Sequence, residues 1–240
     1  MLTSPGTPPA KRTYDARSRR ERAEQERADT RDRVLDAARQ RFLAHGYAAT
    51  KMIDIADEAG VAIASVYRAA RSKAELIEMV LQRATTGDDP AQQLSSSPLA
   101  HPAYPPIAAE PDPQQQVRMI TDRIAEVLDR VAPLWSVLRD AAGVDATAAA
   151  AMTTALQRRA ASLEVAVSLL PEDRLRESPA ESVDTLWALS SPETYMMLRS
   201  ARGWSHTRYR DWLRRSLLVQ LLIPVPPEPV HHPREERRRP

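Results

Sequence analysis

Residues 50–70 read TKMIDIADEAGVAIASVYRAA, and their pattern decides the fold. Met52, Ile55, Ala56 and Ala59 recur at helical spacing before Gly60, which predicts a helix over 51–59 with Thr50 as its cap. A second short helix fits 62–70. Gly60 supplies the left-handed conformation that so tight a turn demands, and Val61 fills the gap between the helices. Two helices joined by a three- or four-residue turn have helix-turn-helix geometry. In such pairs the second helix lays its first residues in the DNA major groove, while phosphate contacts fix its register. An ordinary αα-corner has the same local pattern, so the geometry leaves both open.

Outward from this stretch, Val34, Ala38 and Phe42 predict a preceding helix from an N-cap at Thr30, closed by His45-Gly46. Downstream, Ser72-Lys73-Ala74-Glu75 is a capping box that opens a fourth helix with Leu76, Met79 and Val80. Residues 1–29 hold almost no large apolar side chains and are expected to be a flexible basic arm, with 18–33 able to extend the first helix backwards. The head then spans 30–76, and 77–113 continues helix four into a mobile Pro/Ser/Ala linker. Residues 114–223 read as a bundle of five helices: 114–131, 133–142, 146–170, 179–200 with a kink or restart at Pro192, and 206–223. The tail, 224–240, is expected to be disordered. All-α is the predicted class: an N-terminal three-helix unit with the helix-turn-helix pattern, followed by a helical bundle.

The distribution of proline agrees. Of 20 prolines, three lie at 5–9, seven at 90–113 and six at 224–240, which leaves two long stretches free for helices. The chain has 240 residues and a net charge of +2, but residues 1–83 carry 16 Lys/Arg against 12 Asp/Glu, whereas 84–222 carry 14 against 17. A basic first third suits a polyanion partner, and an ordinary solvated surface suits it too. With no cysteine, there is no disulfide, thiolate nucleophile or cysteine zinc site. The five histidines show no metal-ligand spacing, and no GxSxG or GxxxxGK frame occurs, so no catalytic residue, metal or cofactor is expected. The longest apolar run, 217–225, is far below the ~20 residues of a membrane helix, and a cytoplasmic protein is expected.

TRDRVLDAARQRFLAHGYAATKMIDIADEAGVAIASVYRAARSKAELIEMVL, residues 30–81, resembles the DNA-binding domain of the tetracycline-repressor (TetR) family. The resemblance runs through Val34-Leu35-Asp36-Ala37-Ala38, Phe42, Gly46-Tyr47, Thr50, Ile55-Ala56, Ala59-Gly60-Val61, Tyr67-Arg68 and Ser72-Lys73 with Glu75-Leu76. Residues 186–213 are similar to the last two core helices of one branch of that family. Together these segments cover about 80 of the 240 residues.

The resemblance implies DNA contacts from Thr50, Lys51, Ala62, Ile63, Ala64, Ser65, Tyr67, Arg68 and Lys73. Thr50, Tyr67 and Lys73 would serve phosphates, Ser65 the groove, and Arg68 a phosphate or base. Ala62 stands where the family often has a capping serine, Ala70 where a bulky aromatic is usual, and Ile53 and Ile63 where polar residues are common. The small apolar reading face predicts recognition weighted toward thymine methyls, DNA shape and phosphates.

The resemblance also implies a small-molecule pocket inside the bundle and pairing of the last two helices with a second subunit. Candidate pocket walls are Met119, Trp135, Leu138, Met152, Leu156 and Trp187, which favour an apolar effector. Trp204, Tyr209, Trp212 and Leu213 are the candidates for the dimer face. The expected partners are a pseudo-palindromic double-stranded operator, an effector and a second copy of the chain, with no membrane. Two other possibilities stand beside the effector-controlled repressor: a DNA-binding regulator governed by a protein partner, and an all-α enzyme or carrier on the same fold.

Overall fold

The computed structural model describes residues 11–87 and 102–224 and is all-helical. Among the described residues there is no strand, only an isolated antiparallel bridge between Leu175 and Leu222. The head comprises α1 (Lys11–Ala49), α2 (Met52–Ala59), α3 (Ile63–Ala69) and α4 (Lys73–Thr86). The remainder comprises α5 (Tyr104–Ala109), α6 (Pro113–Ala142), α7 (Ala146–Ser168), α8 (Pro179–Leu189), α9 (Pro192–Met196) and α10 (His206–Leu221). A π turn, Met197–Ala201, continues α9.

The first helix differs from the expectation. It begins at Lys11, and the Thr30 hydroxyl donates back to the Glu26 carbonyl at 2.7 Å instead of capping a start. From residue 11 the expected flexible arm is therefore helix. Arg, Glu, Gln and Ala are good helix formers, and exposed pairs such as Arg17–Glu21 and Gln25–Asp29 sit at i,i+4. Residues 1–10 lie outside the described residues. At the other end, Gly46 adopts φ 74°, ψ 177°, so the regular helix breaks after His45, as expected. Gly60 sits at φ 62°, ψ 41°, and its N–H closes onto the last turn of α2. Both positions are strained for any residue with a Cβ.

α4 begins at the expected box, with the Ser72 hydroxyl accepting from the Glu75 N–H at 3.1 Å, and runs unbroken to Thr86. Residues 88–101 of the expected mobile linker lie outside the described residues. The rest of it is ordered: α5 buries Ile107, and the Gln116 amide donates to the carbonyls of Ile107 and Leu169, each at 3.0 Å.

α6 joins two expected helices into one of 30 residues, with Pro133 inside it. An interior proline costs about 3 kcal/mol. Val131, Ala132, Leu134 and Trp135 on either side of it are all buried, and that apolar burial offsets the lost backbone hydrogen bond. At Pro192 the chain restarts, because Ser191 caps α9 by accepting from the Thr194 N–H at 3.0 Å.

Two apolar cores result. The first joins the head (Phe42, Ile55, Val66, Leu76, Ile77, Val80) to the C-terminal half of α6 (Leu134, Trp135, Leu138) and the start of α7 (Ala148, Ala151). The second packs Val117, Ile120 and Leu128 of α6 with Leu163 and Val167 of α7, Leu186 of α8, Tyr195 of α9 and the Tyr209, Leu213, Leu217, Leu221 stripe of α10. Polar clasps reinforce the first. Arg130 and Arg123 of α6 donate to the Ala84 and Thr85 carbonyls at the end of α4, each at 2.9 Å, and Arg158 of α7 pairs with Glu78 at 2.9 Å.

Candidate nucleic-acid interface

The buried side of the α2–α3 pair is Ile55, Ala56, Ala59 and Val66. The opposite side is left to solvent: Lys51, Ala62, Ala64 and Arg68 are exposed, Ile53 is 48% exposed and Tyr67 53%. Ile63 and Ser65 are half-buried at its edge. Ala62 caps α3 with extended backbone and no side-chain hydrogen bond, as its methyl dictates. Arg68 reaches the Ser65 hydroxyl at 3.5 Å and forms no ion pair among the described residues. Seven of the nine expected DNA-contact residues are thus exposed or half-buried on the α2–α3 pair. Arg71, at the α3–α4 turn, is a cation the motif did not single out; its side chain is 90% exposed and pairs with Glu75 at 3.3 Å.

The other two point elsewhere. Thr50 is 1% exposed; its hydroxyl donates to the carbonyls of Gly46 (2.7 Å) and Arg41 (3.2 Å), and Lys51, not Thr50, is the N-cap of α2. The chain reversal at Gly46 strands carbonyls of the last turn of α1, and Thr50 satisfies them. Lys73 turns inward too. Its ammonium donates to the carbonyls of Tyr47 (2.7 Å) and Thr50 (3.1 Å) and lies 4.2 Å over the Tyr47 ring. Burial lowers its pKa from the ordinary lysine value. Both residues build the head instead of facing a phosphate. Replacing Lys73 with Met should therefore cost about 1–2 kcal/mol and lower the melting temperature by roughly 2–8 °C. An unchanged melting curve would show that these bonds are dispensable.

The six expected pocket residues do not converge. Trp135 and Leu138 are buried in the first core with Met152 and Leu156 against it, whereas Met119 and Trp187 pack on the second. On a continuous helix, Met119 and Trp135 are separated by about 24 Å along the axis, too far for one small ligand. Trp135 donates its indole N–H to Glu193 at 2.8 Å. An open cleft of about 390 Å³ between α7 and α8 is lined by Glu164, Val167, Ser168, Pro179, Ala180, Val183 and Asp184, none of them expected.

The dimer expectation is corrected in part. Tyr209 and Leu213 are both fully buried in the second core. Tyr209 meets Tyr195 edge-on at 4.7 Å, and burial raises the pKa of its phenol. The i,i+4 stripe of α10 faces inward, so these two residues cannot meet another subunit. Trp204 and Trp212 are half-buried and contact one another at 6.0 Å. Val219, 62% exposed, is the large apolar residue on the outer side of α10. Nearby, Asp129 of α6 accepts from the Tyr195 hydroxyl at 2.5 Å, beside Arg199 and His206. Burial, with that acceptor, pushes the Tyr195 pKa up to about 12.

No group of three or more metal-ligating side chains occurs among the described residues, and no described helix is long and apolar enough to cross a membrane.

Residues 34–80 match the family model for bacterial regulatory proteins of the tetR family. No curated protein matches the chain. Among solved structures, the chain is similar to NalD of Pseudomonas aeruginosa, the secondary repressor of the MexAB-OprM multidrug efflux pump, at 20% identity and TM-score 0.58, over 80% of this chain and 95% of that one. A candidate TetR-family transcriptional regulator from Mesorhizobium loti is similar at 17% identity and TM-score 0.61, over 82% and 98%. A candidate transcriptional regulator from Saccharomonospora viridis, solved in complex with choline, is similar at 16% identity and TM-score 0.57, over 81% and 98%.

Proposed function

We propose that the chain, whose residues 34–80 match the model for bacterial regulatory proteins of the tetR family, is a homodimeric, sequence-specific DNA-binding repressor, released from its operator by a small-molecule effector in the C-terminal bundle. The observation that carries this is the exposed face of α2 and α3, where Ile53, Ala62, Ala64, Tyr67 and Arg68 lie open on a well-buried scaffold. An exposed isoleucine and tyrosine beside cations suit a groove lined by methyls and phosphates. The dimer forms through the outer side of the last helices, with Val219 and the half-buried Trp204 and Trp212. Two-fold symmetry then places the reading helices in successive major grooves of a pseudo-palindromic site. Release follows from the shared core. An effector that shifts α6 against α7 moves α4 through Arg123, Arg130 and Arg158, and with α4 the whole head.

Capture of genomic fragments by the purified protein, followed by footprinting, tests this reading. A salt-sensitive, palindromic footprint is expected, and only weak binding indifferent to sequence would overturn it. In the captured site, replacing thymine by uracil removes nothing but the methyl group. Each methyl packed under Ile53, Ala62 or Ala64 should then be worth about 0.8 kcal/mol, or roughly fourfold in affinity. Full tolerance of uracil at every position of the half-site would rule out methyl readout while leaving DNA binding intact.

A further inference from the structure

The inward stripe of α7 runs through Ala148, Ala151, Met152 and Ala155 against the first core, then resumes at Leu163, Ala166 and Val167 in the second. The position between, at i,i+4 spacing from both Ala155 and Leu163, is an arginine. Arg159 lies with its guanidinium 4.0 Å over the Trp187 ring. Its Nη2 donates to the Trp187 carbonyl at 2.7 Å and to the Ser190 hydroxyl at 3.3 Å. The N–H groups on Nε and Nη1 have no acceptor among the described residues, and no described carboxylate lies within 4.0 Å. The nearby Glu193 is already held by the Trp135 indole at 2.8 Å and by Arg139 at 3.5 Å. The Nε atoms of Arg41 and Arg214 are sealed from solvent without a partner, but no nitrogen of Arg159 is, so an incoming group can reach them. Burial lowers its pKa to about 10, which leaves it a full cation at neutral pH.

A largely desolvated cation without a close counter-charge is unfavourable, and Glu193 acts on Arg159 only through space, from beyond ion-pair distance, while held by Trp135 and Arg139. Capping the end of α8 uses one nitrogen of the three and does not account for the rest. We propose that Arg159 anchors the single carboxylate of an amphipathic effector, whose apolar body lies between the two cores against Trp187 and Leu156. This rests on the reading that the bundle takes an effector and assigns that effector its chemical class. Free guanidinium N–H groups match carboxylate oxygens in charge and geometry.

The test uses the full chain without DNA. Binding of decanoate, decanol and decyltrimethylammonium is compared by calorimetry, together with 2-naphthoate against 2-naphthol. At least one carboxylate should bind about tenfold or more tighter than its neutral partner, and Arg159→Met should erase that preference. Because R159M removes a largely desolvated cation with no ion-pair partner, its melting temperature should hold or rise, whereas loss of a structural clamp would lower it by more than about 5 °C. Equal affinity for carboxylate and alcohol, preference for the ammonium, persistence of the preference in R159M, or such a melting loss would each overturn the proposal. Carboxylate preference without any effect on operator binding would support the site and overturn only effector-driven release.

Discussion

Replacing Tyr67 and Arg68 together with alanine is expected to weaken operator binding by at least about a hundredfold, with no loss of fold. The two side chains stand open to solvent on α3, where Tyr67 is half-exposed and Arg68, among the described residues, bonds to Ser65. Neither enters the core beneath, which Val66 fills. Surface substitutions of this kind change stability by about 0.5 kcal/mol or less, so the melting temperature should move by no more than about 2 °C. Each lost contact to a phosphate or base edge is worth about 1–3 kcal/mol, and a dimer loses each contact twice. The salt dependence should flatten as well, because a basic side chain that no longer displaces counterions lowers the slope by about one per contact. Electrophoretic titrations of the captured operator at several salt concentrations measure both effects. A variant that binds as tightly as the parent would move the interface away from α3.

Thr50 and Lys73 belong to the same motif and have the opposite character, which shows where sequence stops short. The motif places both beside the reading helix, and the spacing is right: Thr50 precedes α2 by two residues and Lys73 opens α4. What spacing does not carry is the direction of a side chain after a positive-φ glycine. Gly46 turns the chain so that the carbonyls of Tyr47 and Thr50 point at the start of α4, and the nearest donor there is Lys73. The same limit explains the bundle. Apolar spacing finds the stripes of α6, α7 and α10, but it cannot tell one core from two. Placing Met119 and Trp135 in one pocket requires the break at Pro133 that the burial around it removes. Tyr209 and Leu213 looked suitable for a dimer because aromatic and aliphatic residues serve cores and interfaces alike. Arg159 was legible in principle, as a charge interrupting an otherwise apolar i,i+4 stripe. Its significance needs the third dimension, where two cores meet and no described carboxylate lies within ion-pair distance. By contrast, the bounds of α2, α3 and the start of α4 followed from sequence to within a residue or so, because the Ser72 box and a left-handed glycine are local, although the cap of α2 fell on Lys51 and not Thr50.

The shared first core makes a strong prediction about cooperativity. Leu138 lies far from the reading helix in sequence, on the last turns of α6, yet it is fully buried in the cluster that holds Phe42, Leu76, Ile77 and Val80 of the head. Truncation to alanine removes apolar burial and leaves a cavity, a change that costs about 2–5 kcal/mol in a well-packed core. If head and bundle were separate folding units, Leu138→Ala would loosen α6 and α7 and leave the amides of Ile55 and Val66 as protected as before. With a common core, the loss appears in both places. Denaturant unfolding followed by tryptophan fluorescence reports the bundle, since all four tryptophans (135, 187, 204 and 212) lie outside the head. Hydrogen exchange of α2 and α3 amides reports the head. Both probes should shift to lower denaturant together, by an amount equivalent to the full 2–5 kcal/mol, and remain coincident. A head transition that stays in place while the fluorescence transition moves would separate the two units. It would also remove the mechanical link on which release by an effector depends, since a head that unfolds independently of α6 and α7 cannot be repositioned by them through packing.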